Sequence, residues 1–276
     1  MTAASQRTGA GRHCVVAAQR IAWLVTCEHG GNAIPDDFAP LFRGFRRLLG
    51  SHRGYDPGAL DTARDLARAL GAALVTSTVS RLLVELNRSP GRQFRHSPIM
   101  RAATANARDE ACRRYYLPYR REVEAFVARA TAAGKRVVHL SSHSFTPSLD
   151  GLERRGDVGL LYDPARAGER SLCLRWQRAL ASRRPRWVVR RNYPYLGRSD
   201  GFTSYLRKRF GGDAYVGIEL EVNQKHVRNG SVAAQDRAAI VDALCEALDD
   251  GGLAAFGTPN AASSARKMLR EERQRT

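Results

Sequence analysis

Leu24-Val-Thr-Cys-Glu-His-Gly-Gly-Asn-Ala-Ile-Pro35 is the stretch whose reading decides the fold. The apolar run from Ile21 to Val25 suits a buried strand, and it stops abruptly at Glu28, His29 and two glycines. In an α/β protein the chain leaves the sheet at the carboxyl end of a strand, where open sheets place their ligand crevice. Gly30 and Gly31 let the backbone turn sharply or approach a bound group closely. A histidine at that edge is well placed for chemistry, although a single histidine can equally hydrogen-bond a neighbouring loop and do nothing more.

Outward from this turn, strand-like and helix-like segments alternate. That alternation predicts an α/β fold: a single domain with a mixed, mostly parallel sheet flanked by helices. Further strands are expected at Ala73 to Thr76, Arg81 to Leu86, Arg136 to just before His143, Asp157 to Tyr162, Trp187 to Arg190 and Tyr215 to Gln224. A short helix is expected within Pro40 to Leu49, and another after Asp56-Pro57, where Leu60, Ala63, Leu66, Ala67 and Leu70 form an apolar stripe. A long helix from Ala105 to Ala133, bent around Leu117-Pro118, and helices at Gly168 to Ala181, Phe202 to Phe210 and Ser231 to Leu248 complete the set. No Pro/Gly/Ser-rich linker divides the middle of the chain. The domain is expected to span 14–256, between a flexible N-terminal segment, 1–13, and a basic, flexible tail, 257–276.

Forty-five Lys and Arg against 27 Asp and Glu give a formal charge of +18, a field that attracts anionic substrates, nucleic acid or membrane surfaces. There is no nucleic-acid-binding motif and no interleaving of aromatic and basic residues of the RNP type, so specific nucleic-acid binding is not expected. The cysteines, Cys14, Cys27, Cys112, Cys173 and Cys245, are far apart and form no CxxC pair. This suits a reducing cytoplasm better than a disulfide framework and excludes a thiolate zinc finger. Without a membrane-length apolar run or the apolar core of a signal peptide, a soluble cytoplasmic protein with no membrane partner is expected.

Several side chains at strand ends and in loops are candidates for function. Asp56, just before Pro57, reads either as a helix N-cap or as a carboxylate pointing into the crevice. Asn87-Arg88 leaves a strand and suits a carboxylate site, the guanidinium holding the acid bidentately and the amide donating a further bond. Tyr115, Tyr116 and Tyr119 lie at helical spacing and read as packing. His139 reads as a satisfied core histidine, whereas His143, past the strand, is the better metal-ligand candidate. The loop Asn192-Tyr-Pro-Tyr-Leu-Gly-Arg-Ser-Asp-Gly201 is of the kind that collects binding residues, with Asn192 and Tyr195 as substrate-binding candidates. On the last strand, alternation puts Glu219, Glu221 and Asn223 on one face. Two carboxylates there need water, a cation or a metal site, unless the strand is a solvated edge.

The order of these pieces resembles the N-formylglutamate amidohydrolase family, from about Ile21 to Ala247. The resemblance is carried by Cys27-Glu-His-Gly-Gly-Asn with Ile34-Pro35, His52 through Asp56-Pro-Gly-Ala59, Leu86-Asn-Arg-Ser-Pro90, His143-Ser-Phe-Thr-Pro147, Asn192-Tyr-Pro-Tyr-Leu-Gly197 with Asp200-Gly201, and Gly217-Ile-Glu-Leu-Glu-Val-Asn-Gln224. It implies a phosphorylase/hydrolase-like fold of the zinc carboxypeptidase and aspartoacylase kind, with the motif order His29, Asn87-Arg88, His143, Glu219. The carboxypeptidase-like proteins carry His-x-x-Glu at the first site, whereas Asn32 stands three residues after His29 here. The resemblance therefore points to Asp56 as the third ligand with His29 and His143, and Glu28 is the reserve because a strand neighbour of His29 faces the other way. It further implies Zn2+ or another divalent metal, Glu219 as the proton-transfer group, Arg88 and Asn87 on a substrate carboxylate, and a small anionic N-acyl amino acid such as N-formylglutamate as substrate. Glu221 is left either to pair with Arg207 or Arg209 or to select a substrate with a cationic part. Another N-acyl amino acid or small peptide as substrate, or a non-catalytic basic binding protein, are the other readings.

Overall fold

The computed structural model describes residues 20–91 and 95–249; the ends expected to be flexible, 1–13 and 257–276, and Cys14 lie outside the described residues. In chain order the main elements are β1 (Ile21–Cys27), α1 (Ala59–Leu70), β2 (Ala73–Thr76), α2 (Ala105–Ala111), α3 (Leu117–Ala132), β3 (Arg136–Phe145), β4 (Val158–Leu161), α4 (Ala167–Arg183), β5 (Val189–Arg191), α5 (Phe202–Arg209), β6 (Tyr215–Asn223) and α6 (Ala234–Asp249). The strands form a six-stranded sheet in the order β2-β1-β3-β6-β4-β5. All neighbours run parallel except β4 against β6, so the sheet is mixed and mostly parallel.

Helices cover both faces, as parallel strands require. On one face Trp23, Val25, Val138, Leu140, Ile218, Leu220 and Val222 pack with residues of α1, α4 and α6. On the other, Leu24, Val137 and Tyr215 pack with Val123 and Val127 of α3 and with Phe202 and Leu206 of α5. A satellite core under the loops joins Phe38, Phe42, Leu82, Leu83 and Met100. β6 sits between β3 and β4 and is buried along its whole length, so the solvated-edge reading of its acidic face does not hold.

Other departures have local causes. Arg81 to Leu86 is a buried turn rather than a strand. The Ser80 hydroxyl accepts the Leu82 N–H at 3.2 Å, and the Ser80 carbonyl takes the Leu83 N–H at 2.9 Å. Such local bonds compete with a sheet ladder, and the aliphatic side chains are buried in the satellite core and the second face instead. β3 continues through Phe145, which puts His143 inside the strand rather than beyond it. The short helix expected at Pro40 to Leu49 is a 3-10 stretch, Asp36–Phe42, and a single α turn, Arg46–Leu49. The long helix is interrupted by a π turn at Cys112–Tyr116, just before Pro118 enters the first turn of α3, where its missing N–H is tolerated. Cys27, Cys112 and Cys173 are free thiols, whereas Cys245 takes part in a disulfide, which the cysteine spacing did not suggest. Among the described residues no helix is long and apolar enough to cross a membrane.

Candidate active site

Period two along three adjacent strands places a row of polar side chains on one sheet face. Pairing sets Thr26 opposite Ser141, Ser141 opposite Glu219, and His143 opposite Glu221. Glu28, one residue past β1, continues the same face, while His29 leaves the strand and turns towards the crevice. The Asp56 N–H donates to the His29 carbonyl at 2.9 Å, which ties the two loops together. Gly58, at φ +81°, caps α1; an added Cβ would lie 2.8 Å from the Val232 side chain. Asp56 is thus not the N-cap, and its carboxylate is free to face the sheet.

His29, Asp56 and His143 come together, all three buried. Asp56 Oδ2 lies 3.1 Å from His29 Nδ1 and 2.9 Å from His143 Nδ1. Each imidazole is held from behind through its other nitrogen. His29 Nε2 meets Glu85 Oε1 at 2.5 Å, and His143 Nε2 meets the Ser141 hydroxyl at 2.9 Å and Glu28 Oε2 at 3.3 Å. The Ser141 and Tyr119 hydroxyls both donate to Glu28, at 2.7 and 3.0 Å. A serine hydroxyl has one proton, and here it goes to Glu28, so Ser141 accepts from His143 Nε2–H. With both Nε2–H groups pointing backwards, three lone-pair donors converge: two Nδ1 atoms and one carboxylate oxygen.

Such a set requires positive charge. Burial opposes ionisation of Asp56, but the two imidazoles and Arg81 outweigh it and hold the carboxyl well below the usual range. Burial likewise opposes charging of His143, yet bonds to Asp56 and Glu28 hold it well above an ordinary histidine; His29 is raised by Glu85 and Asp56 against burial and Arg81. Protons or a metal ion can supply that charge. Ligand atoms on a tetrahedron with bonds of about 2.0–2.1 Å lie about 3.3 Å apart, close to the two distances found. The three side chains fit a divalent cation, and Glu28 stands behind His143 rather than among the donors.

The set forms the floor of a cavity of about 350 Å³, also lined by Arg81, Asn87, Arg88, Tyr195, Glu219 and Glu221. Glu219 accepts the Thr203 hydroxyl at 2.5 Å. Arg88 donates to the Asp200 backbone carbonyl, and Asn87 Oδ1 accepts the Phe202 N–H at 2.6 Å. Tyr195 is half exposed and its phenol accepts from Arg154 at 3.1 Å. Asn192 does not reach the cavity wall: its Oδ1 takes the N–H groups of Tyr162 and Gly197, at 3.0 Å each, and so shapes the loop. Burial pushes the Glu221 carboxyl up to about 8, against the pull of His143. His139, held by Thr26 and Tyr215 at 2.8 and 2.7 Å, is a satisfied core histidine, lowered by burial to about 4.

Arg81 and Glu85 escape sequence reading. Arg81 lies within 3.3 Å of Asp56 Oδ1 and 2.5 Å of Glu85 Oε2, so it ties the carboxylate behind His29 to the one in front. Their spacing of four residues was the one available signal, and it is a helical spacing in a segment with no helix.

The α/β sheet thus gathers two imidazoles and several carboxylates around one cavity, at the strand ends where open sheets place their ligand crevice. The N-formylglutamate amidohydrolase family profile matches residues 21–227, and the chain belongs to that family, whose members hydrolyse an amide bond. In structure it is similar to a gene product from Agrobacterium tumefaciens, with 29% identity, a TM-score of 0.69, and coverage of 85% of this chain and 91% of that one. It shares its fold with N-formylglutamate amidohydrolase from Ralstonia eutropha JMP134, with 20% identity, a TM-score of 0.64, and coverage of 86% and 97%. No curated protein matches the chain in sequence.

Proposed function

We propose that this amidohydrolase is metal-dependent and cleaves the amide of a small anionic N-acyl amino acid, N-formylglutamate being the family's example, in the cytoplasm. The observation that carries the reading is the convergence of His29 Nδ1, His143 Nδ1 and Asp56 Oδ2 at the cavity floor. Two histidines and one carboxylate are a donor set that suits zinc. A zinc ion there would supply a Lewis acid for the scissile carbonyl and make a water molecule more acidic.

The protein's own groups do the rest. Glu219, in the cavity and steadied by Thr203, takes the proton of the attacking water as the C–O bond forms. It returns that proton to the nitrogen as the C–N bond breaks, so the amine leaves neutral. Arg88 has one N–H group on the Asp200 carbonyl and others to offer a substrate carboxylate. The Asn87 oxygen is occupied by Phe202, which turns its NH2 group towards donation. Tyr195, half exposed on the cavity wall, is available to contact the substrate.

Elemental analysis together with deformylation of N-formylglutamate tests this. One equivalent of divalent metal is expected in the wild type and none in His143→Ala. Glu219→Gln should keep the metal and lose about 10²–10⁴-fold in kcat. Full activity in protein stripped of metal would overturn the reading.

A further inference from the structure

A buried arginine is normally matched by a carboxylate. Arg207 of α5 is matched by Glu169, at 2.9 Å, and Arg209 reaches Glu124, so neither of the arginines expected at Glu221 pairs with it. Arg120 of α3 differs. It is 2% exposed, no carboxylate pairs with it among the described residues, and its Nε and Nη2 have no hydrogen-bond partner.

What Arg120 holds is backbone. Its Nη1 donates to the Leu86 and Arg88 carbonyls, at 3.1 Å each, the two that flank Asn87. The Tyr116 hydroxyl donates to the same Arg88 carbonyl at 2.7 Å. The guanidinium carbon lies 4.0 Å from the centre of the Phe202 ring, 4.3 Å from that of Tyr205 and 5.2 Å from that of Tyr116, within the range where ring faces attract a cation. Phe202 is also the residue whose N–H is accepted by Asn87. The two segments that meet at Asn87, residues 86–88 and the start of α5, therefore rest on one buried cation. Asn87 and Arg88 line the cavity, and Arg120 lies behind them.

We propose that Arg120 is a positioning residue: by holding the Leu86 and Arg88 carbonyls it fixes the turn that presents the Asn87 and Arg88 side chains to a substrate carboxylate. It touches no reacting atom. This rests on the reading of Arg88 given above and adds the group that keeps it in place. A planar guanidinium grips two carbonyls at once in a fixed geometry, whereas a lysine ammonium is a point charge on a flexible stem. Displacing a binding group by about 1 Å is enough to weaken its action severely.

The test compares wild type, Arg120→Lys, Arg88→Ala and the double variant, each loaded with metal, by kcat and KM for N-formylglutamate. Arg120→Lys should raise KM about tenfold, keep kcat within about threefold and leave metal content unchanged, the signature of lost binding rather than lost chemistry. On top of Arg88→Ala the same substitution should raise KM by less than about twofold, because the two act through one contact. An unaltered KM in Arg120→Lys overturns the inference, and so do effects that multiply in the double variant, as a role confined to folding would give. Arg88→Ala with an unaltered KM overturns the carboxylate clamp and this inference together. Should Arg120→Lys not fold, Tyr116→Phe decides by the same comparison, since it removes one donor from the Arg88 carbonyl and leaves the cation in place. If the wild type hydrolyses nothing, the hydrolase reading fails separately; calorimetric binding of N-formylglutamate then replaces KM with the same outcomes, and no binding at all overturns the inference.

Discussion

Asp56 Oδ2 is one oxygen shared by two imidazoles, and the orientation of each ring is set by a carboxylate on its far side. Glu85 and Glu28 are 6% and 0% exposed, and neither is in the converging set, yet both decide which nitrogen faces inwards. Outer carboxylates of this kind fix the tautomer and raise the basicity of the ligand. Glu85→Gln and Glu28→Gln are therefore each expected to weaken metal affinity about 10–100-fold, read by competition with a chelator. Glu221 yields a pH prediction. Its carboxyl is raised from 4.5 to about 8 in the folded protein, so between those values the folded state holds a proton that the unfolded state has released. Stability must then fall as pH rises through that window, by at most about 1.4 kcal/mol per unit. Urea unfolding of metal-free protein across pH 5 to 8, about the range named, should show this slope in the wild type and a flatter one in Glu221→Gln.

At the level of elements, β1, β3 and β6 were legible because their apolar residues alternate with a polar row, and a buried strand needs that row to be satisfied. The same alternation exposed Glu219 and Glu221, and the glycine-rich turn exposed His29. Asp56 kept two readings because a carboxylate before proline looks the same whether it caps a helix or faces a crevice; Gly58 decided it by taking the cap. The turn from Ser80 to Asn87 was not legible. Its residues are as aliphatic as a strand, and the bond from Glu85 to His29 spans 56 positions, which leaves no local pattern. Asn192 was expected to meet substrate, yet its amide oxygen is taken up by two backbone N–H groups, since a loop's sequence does not say which way an amide turns. Gly159 of β4 shows how tightly that loop is seated: an added Cβ would lie 1.7 Å from the Tyr193 carbonyl oxygen and 3.3 Å from the Glu221 Cβ. Gly159→Ala should displace the 192–201 loop, lower stability by about 1–3 kcal/mol and raise KM more than it lowers metal content, measured by thermal melting and kinetics on the same preparation.

For the whole molecule, the +18 charge acts at a distance that no single contact covers. Exposed charges more than about 10 Å apart are largely screened at 0.1 M salt, so steering of an anionic substrate belongs to dilute conditions. Raising salt tenfold from about 50 mM should lower kcat/KM for an N-acyl amino acid several-fold and leave kcat unchanged. A protein whose basic residues merely cover its surface would show no such trend.

The cavity is assembled from two halves of the chain. His29, Asp56 and His143 come from β1, the approach to α1, and β3, whereas Tyr195, Leu196 and Asp200 belong to a loop that departs after β5 at the opposite sheet margin and rests on Gly159. None of the three converging donors comes from residues 192–201, so descendants of one ancestor can rewrite that loop without touching them. Transplanting residues 192–201 between cousins should therefore leave ion occupancy where it was.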